Sequence, residues 1–249
     1  MRTTRLYLTN SPDELSAGVT GNMPPVTLDA DASRYLSKVM RYKVDDTVVL
    51  FNGDGNNYNA RIISINKTVQ VQIDSVDKNE TESPLSITLV QSLAKGTKLE
   101  LIIQKATELG VVKVSPVTTE RTVLQIDQKR MQKKLEHWSK IAQSACAQCN
   151  RSVVPIIEPV LDFKQWLSVH AGEHSLLIQP GATETFADLN SKTAINILVG
   201  PEGGFSDAEL ALAIEAGVNT VRCGPRVMRT ETAGLVAIAI VQSLMGDLG

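Results

Sequence analysis

Ile195-Asn-Ile-Leu-Val-Gly-Pro-Glu-Gly-Gly-Phe-Ser-Asp-Ala-Glu209 is the stretch on which the reading of this chain turns. Its apolar start predicts a buried strand that runs directly into Gly200-Pro-Glu-Gly-Gly204. Glycines there free the backbone for unusual φ and let a ligand come within hydrogen-bond distance of the main chain. Ser206 and Glu209 have capping-box spacing, so a helix begins as soon as the turn ends. Backbone amides beside a helix N-terminus favour an anionic group. The segment is neither a Walker A loop, which needs Lys followed by Ser or Thr, nor a Gly-x-Gly-x-x-Gly fingerprint. Glycine-rich strand-to-helix turns are common, and by spacing alone a plain tight turn explains the segment as well as a ligand site does.

Outward from this strand, the chain from Leu85 alternates strands and helices. Strands are predicted at Ile87–Gln91, Val112–Val114, Ser175–Gln179, Ala194–Val199 and Val218–Cys223. Helices are predicted at Lys98–Leu109, Gln128–Cys149, Phe163–Val169, Asp207–Ala216 and Thr232–Leu244. Thr97 and Glu100 have capping-box spacing at the first helix, and Gly110 suits its stop. The fold class is therefore α/β, a mostly parallel sheet with helices on its faces, whose ligands bind outside the carboxyl ends of the strands. The first 75 or so residues follow another grammar. Strands Thr47–Phe51 and Tyr58–Ile65 flank a Gly- and Asn-rich turn, Val69–Ile73 alternates apolar and polar, and one helix spans Ala32–Arg41, which together suggest a small β-barrel. Polar Asp77–Pro84 reads as a linker. The expected domains are residues 1–76, a linker 77–84, and residues 85–249.

A second glycine turn follows in Val221-Arg-Cys-Gly-Pro-Arg-Val-Met-Arg-Thr-Glu-Thr-Ala-Gly-Leu-Val-Ala-Ile-Ala-Ile240. Gly inside a helix costs about 1 kcal/mol relative to Ala, so Gly234 predicts a close backbone approach. The helix body reads as a buried element packed on the sheet or on a second subunit. That does not account for Arg226 and Arg229 in the loop before it, because unpaired charges are seldom buried.

Composition narrows the classes. Hydrophobic residues make up 43% of the 249, ample for a core, and aromatics only 4%. The formal charge of -2 excludes RNA binding by bulk charge, so any RNA-binding cations are gathered on one face. No apolar run is long enough for a membrane span or a signal peptide, and an odd three cysteines argue against a disulfide scaffold. A cytoplasmic protein with no membrane association is expected. Cys146-Ala-Gln-Cys149 has half-site spacing but lacks a second pair. His170-Ala-Gly-Glu-His174 matches a zinc-protease pattern, yet its central Gly172 makes an exposed loop the better reading. No metal site is expected. The basic run Lys129–Lys134 reads as a solvated helix face.

Leu198–Ser206 together with Gly224-Pro-Arg-Val-Met-Arg-Thr-Glu-Thr-Ala233 resembles the 16S rRNA uridine-N3 methyltransferase family, within the SPOUT class. Lys95–Lys98, Gln104–Gly110, Glu120-Arg121, Trp138–Ala142, Gln148–Arg151, Tyr35–Arg41 and Phe51–Gly53 extend the likeness over nearly the whole chain. Met228, where the family usually has Leu, and Cys223, where Leu is common, are the departures. The resemblance implies a PUA-like N-terminal barrel, a deep C-terminal trefoil knot and a homodimer. Periodicity gives no sign of a knot, since chains rarely thread loops. The resemblance also implies S-adenosylmethionine as cofactor and 16S rRNA within the small ribosomal subunit as partner, with methylation at N3 of a uridine.

By position, the cofactor would lie among Leu177, Ile178, Gln179 and Pro180; Val199, Gly200, Pro201, Glu202, Gly203 and Gly204; and Cys223, Gly224, Val227, Met228, Thr230 and Thr232. Arg229 is the expected catalytic cation or phosphate grip. Glu231 is a candidate base, or equally a first-turn acid favoured by the helix dipole. RNA contacts are expected from Arg2, Arg5, Arg34, Lys38 and Arg41, of which Arg34, Lys38 and Arg41, three to four apart, share a helical face, with Arg121 and Arg226 added from the second domain. The alternatives carried alongside are a non-catalytic RNA-binding or ribosome-assembly protein, a phosphate-handling enzyme, and a methyltransferase for another base.

Overall fold

A computed structural model describes residues 3–9, 24–122, 128–186 and 193–249 of the chain, with side chains from residue 131 onward in the long helix. Arg2, one of the expected RNA contacts, lies outside the described residues. The chain divides into two compact units, Met1–Glu82 with Cys146–Val154, and Ser83–Ala145 with Pro155–Gly249.

The first unit is a curled five-stranded sheet. Strands β1 (Thr4–Tyr7), β2 (Val26–Thr27), β3 (Thr47–Phe51), β4 (Asn56–Ile65) and β5 (Val69–Lys78) lie in the order β1-β3-β4-β5-β2. All neighbours are antiparallel except β1 and β3. Alternate residues Tyr58, Ala60 and Ile62 of β4 and Val69 and Val71 of β5 point into one core, closed by Leu36; this period of two is what a half-buried strand requires.

Helix α1 (Ala30–Arg34) is capped by Asp29, which accepts from the Ala32 amide at 2.7 Å. It continues not as an α-helix to Arg41 but as a π-helical stretch, Tyr35–Met40, and Arg41 leaves it in the left-handed region at φ 57°. The wider π turn breaks the three-to-four spacing that would have put Arg34, Lys38 and Arg41 on one face.

The polar stretch after residue 76 does not behave as a free linker. β5 extends through Lys78, and Asn79 Nδ2 donates to Asn150 O at 2.6 Å and Ser152 Oγ at 2.8 Å. Nearly buried Arg151 donates twice to Glu82 Oε2, at 3.0 and 2.7 Å. Asn79 and Glu82 thus serve a returning segment of chain, while Asp77, Lys78, Glu80, Thr81 and Pro84 are exposed.

The second unit is built on a parallel sheet. Its strands are β6 (Ser86–Ser92), β7 (Lys113–Thr118), β8 (Ile156–Ile157), β9 (Leu161–Asp162), β10 (Ser175–Ile178), β11 (Ala194–Val199) and β12 (Asn219–Val221). The order is β12-β10-β11-β6-β7-β8, with β9 also paired to β7, and every pairing is parallel. The helices are α2 (Lys98–Glu108), α3 (Gln128–Cys149), α4 (Phe163–Val169), α5 (Asp207–Glu215) and α6 (Thr230–Met245). Among the described residues no helix is long and apolar enough to cross a membrane.

One expected cap fails: Thr97 makes no side-chain bond to α2, and Glu100 faces His137 at 3.3 Å instead. Gly110 does stop α2, at φ 85°. The Ser206–Glu209 box forms in full at α5. On α6, a Cβ added to Gly234 would sit 3.3 Å from both Leu89 Cδ1 and Val199 Cγ2. The glycine thus lets α6 lie close on β6 and β11, the approach its propensity cost suggested.

Candidate functional site

The carboxyl ends of β10, β11 and β12 open on one cavity of about 610 Å³ in the second unit, where parallel sheets place their ligands. Three chain segments form its wall. After β10, Gln179 donates its amide to Val221 O at 2.9 Å and Ala182 donates to Gln179 O at 3.1 Å, so this loop folds back on β12. After β11, Gly200–Gly204 turns with Gly204 at φ 70° and its amide on Pro201 O at 2.9 Å. After β12, Cys223–Arg229 leads through Gly224 at φ 79° into α6.

The glycine turn is held from behind by buried polar groups. Thr230 Oγ1 donates to Gly200 O at 2.7 Å and accepts from Gln91 Nε2 at 2.9 Å. Gln91 is fully buried at the end of β6, and its Oε1 has no partner. From the side, Arg121 donates to Gly203 O at 2.8 Å and Phe205 O at 3.2 Å. Glu209 uses both carboxylate oxygens, accepting the Ser206 amide at 2.9 Å and the Glu120 amide at 2.8 Å. A Cβ on Gly200 would stand 3.1 Å from two Phe205 ring carbons, so only glycine leaves that ring its place.

The charges on the wall differ in what they already do. Lys98 Nζ lies 2.9 Å from Glu202 Oε1 and 3.4 Å from Glu231 Oε2. The Lys98 ammonium holds the Glu202 carboxyl below the usual carboxylate range, and Glu202 in turn raises the lysine. Arg121 is engaged by carbonyls. Arg226 and Arg229 line the cavity, are exposed, and make no ion pair among the described residues. Burial pushes the half-buried Cys223 thiol up to about 11.

Of the residues expected around a cofactor, Ile178, Gln179, Pro180, Val199, Gly200, Pro201, Glu202, Gly203, Gly204, Cys223, Gly224, Val227, Met228 and Thr230 line the cavity. Leu177 does not: it is fully buried in the core with Val90, Trp166 and Leu198. Thr232 does not either, being exposed on the first turn of α6, two residues past the helix start. Glu231 sits behind the wall on Lys98. Lys98, Phe205, Leu210 and Ala233 line the cavity without having been expected there. Lys98 lay within a quoted family segment, but no spacing rule links it to residues more than a hundred positions on.

The expected RNA cations separate in the same way. Arg5 is not a free surface charge: it donates to Asn57 Oδ1 and Ser152 Oγ at 2.8 Å each and to Arg151 O at 3.1 Å, 5.1 Å over the Phe51 ring. Burial lowers its guanidinium below the usual value. Arg34 is exposed and paired with Asp31 at 3.0 Å. Lys38 and Arg41 are exposed. Arg121 faces the glycine turn as described.

The zinc-like patterns have other uses. His170 stacks on Trp166 with centroids 4.4 Å apart and faces Glu173 at 3.1 Å, while Asn196 Nδ2 donates to the same carboxylate at 2.8 Å. Cys146 is a buried free thiol and Cys149 a half-buried one.

Comparison with known proteins agrees with this geometry. The RNA methyltransferase domain family matches residues 81–242, and the RNA methyltransferase PUA domain family matches residues 28–74. The chain is 34% identical to ribosomal RNA small subunit methyltransferase E of Buchnera aphidicola over 88% of each chain. A methyltransferase from Legionella pneumophila in complex with bound SAM superposes with a TM-score of 0.91 at 34% identity over 100% of both chains. Ribosomal RNA small subunit methyltransferase E from Neisseria gonorrhoeae bound to S-adenosyl methionine gives 0.89 at 33%, again over 100% of both.

Proposed function

The chain belongs to the ribosomal RNA small subunit methyltransferase E family, and from that premise we infer that it methylates N3 of a uridine in 16S rRNA, using S-adenosylmethionine held in the cavity at the ends of β10, β11 and β12. The observation that carries the reading is the cavity itself, walled by the two glycine turns. Its volume of about 610 Å³ falls within the range of small-molecule and cofactor sites, roughly 300–1,000 Å³. Apolar Ile178, Val199, Leu210, Met228 and Ala233 suit the faces of a purine, and the turn backbones bring donors and acceptors to the same space. The residues present therefore fit the cofactor.

When bound, S-adenosylmethionine supplies a methyl group on a positively charged sulfur. The chain's own contribution is orientation: the backbone at Gly200, Glu202, Gly203, Cys223 and Met228 would fix the cofactor in one pose, and alignment of reactants can supply much of a rate enhancement. Uridine N3 carries a proton that must leave, and a nearby cation favours the imide anion. Among the described residues Arg226 and Arg229 are the cavity cations engaged neither by a carboxylate, as Lys98 is, nor by carbonyls, as Arg121 is, which supports Arg229 as the group that stabilises the anion or grips a phosphate, with Arg226 on RNA. Lys38 and Arg41 support RNA contact by the first unit. Substrate presented as an assembled small subunit, cytoplasmic action, a homodimer and a trefoil knot complete the proposal.

The test is incubation with isotope-labelled S-adenosylmethionine and small subunits from cells lacking this activity, followed by nucleoside mass analysis. Label in 3-methyluridine is expected. Label in another nucleoside overturns the target base. No label, with no calorimetric binding of cofactor, returns the chain to a non-catalytic RNA-binding role.

A further inference from the structure

Lys98 stands where helix electrostatics disfavour it. It is the first residue of α2, at the positive end of the helix dipole, where a cation is destabilising. The helix start has no side-chain cap from Thr97 to offset this. What it has is two carboxylates from elsewhere in the unit, Glu202 of the glycine turn at 2.9 Å and Glu231 of α6 at 3.4 Å. The ammonium is therefore shared by α2, the Gly200–Gly204 turn and the first turn of α6. We propose that Lys98 is a positioning residue of the methyl-transfer site, clamping Glu202 and Glu231 side by side so that the glycine turn and the α6 N-terminus keep the spacing that shapes the cavity.

The argument is electrostatic. Two carboxylates meeting on one ammonium become like charges in one site when the cation is removed, which favours proton uptake or their separation. From α2 the facing charge is Lys98. From the glycine turn it is Glu202, and from α6 Glu231. The backbone amides of Lys95 and of Glu202 also favour the charged carboxylate, and among the described residues Lys98 is its ion-pair partner. The other charges on the cavity wall are Arg121, Asp207, Arg226 and Arg229. Arg121 is committed to the Gly203 and Phe205 carbonyls and cannot replace the ammonium without releasing them. Loss of Lys98 thus leaves Glu202 and Glu231 facing one another without the cation that pairs them.

This inference rests on reading the cavity as the cofactor site, and the experiment separates the two. S-adenosylhomocysteine is titrated calorimetrically into the full chain, Lys98→Met, Lys98→Arg and Lys98→Met/Glu202→Gln from pH 5.5 to 8.5, beside ligand-free thermal melts of the same proteins and of Glu202→Gln. The unaltered protein is expected to bind with little pH dependence. Lys98→Met should bind about tenfold more weakly at pH 8 and recover toward pH 5.5 as one carboxylate takes a proton. Lys98→Arg and the double variant should recover most of the affinity at every pH, and the melting shifts of Lys98→Met and Glu202→Gln should be non-additive. Lys98→Met binding like the unaltered protein across the range overturns the clamp. So does a deficit that is flat with pH and untouched by Glu202→Gln. If the unaltered protein binds nothing, the cofactor reading fails, and the melts alone decide the clamp: additive shifts overturn it. If Lys98→Met does not fold, a folded double variant supports the clamp and an unfolded one overturns it.

Discussion

Thr230 Oγ1 donates to the carbonyl of Gly200 at 2.7 Å, which joins the first residue of α6 to the end of β11 through one buried hydroxyl. The same oxygen accepts from Gln91 Nε2, so three segments far apart in sequence share it. Thr230→Val keeps the shape and removes both bonds, leaving buried polar groups without partners at a cost of about 1–3 kcal/mol. Denaturant unfolding should show that loss, and S-adenosylhomocysteine affinity should fall with it. Thr230→Ser should keep most of both. A Thr230→Val protein as stable as Thr230→Ser would count against the hydroxyl's role.

Gly200→Ala acts on the same turn from the other side. Its new methyl meets Phe205, itself buried and packed on Phe163 with centroids 4.8 Å apart. The ring has little room to yield, so overpacking of about 1–3 kcal/mol is expected. The chemical shifts of Phe205 should move, and cofactor affinity should drop. Unchanged shifts would mean the ring relaxes at no cost.

Cys223 offers a chemical probe. With its thiol pushed up to about 11 by burial, it is protonated at pH 8, and alkylation by iodoacetamide should be slow and rise through pH 10–11, because the thiolate is the nucleophile. S-adenosylhomocysteine should slow it further, since Cys223 lines the cavity. Peptide mass mapping reads this residue apart from Cys149. Fast labelling at pH 8 that is indifferent to ligand would contradict both statements.

The Glu202–Lys98 pair sets an acid limb. Because the folded carboxyl lies below its unfolded value of about 4.3, the pair's contribution is fully present above that value. It is lost as pH falls through the lower folded one. Melting temperature followed from pH 6 to pH 3 should therefore fall less steeply for Glu202→Gln than for the unaltered protein. Parallel curves would show that the pair adds nothing, the outcome of many exposed pairs.

Arg229→Ala should lower turnover on small subunits while leaving S-adenosylhomocysteine affinity nearly intact. If the cation is needed in the transition state, kcat falls with kcat/KM; if it grips a phosphate, KM rises alone. No change in either removes Arg229 from the site.

The parallel sheet was legible because buried strands and helices alternate with glycine turns between them, and the Ser206–Glu209 cap declared the start of α5. Gly234 announced its close packing through a propensity it violates. The legible part of the site was its backbone, since glycines and prolines state where the chain turns. Its side-chain wiring was not. Lys98, Gln91 and Arg121 are joined to the turns by contacts 82 to 139 positions apart, and no periodicity reports on such separations. The surroundings of Arg5 were not legible for a related reason: a cation on a short strand looks the same in sequence whether it faces solvent or, as here, Asn57 and Ser152. Arg34–Arg41 misled because a π turn carries no residue signature that an α-helix lacks.

Glu209 spends its two oxygens on amides from opposite sides, its own helix cap and the Glu120 turn. Neither bond can open without freeing a buried carboxylate for both, so the start of α5 and the turn after β7 unzip together or not at all. In amide hydrogen exchange, Ser206 and Glu120 should therefore exchange at one common rate, reporting a single cooperative opening of the wall rather than the separate fraying of a helix end and a loop.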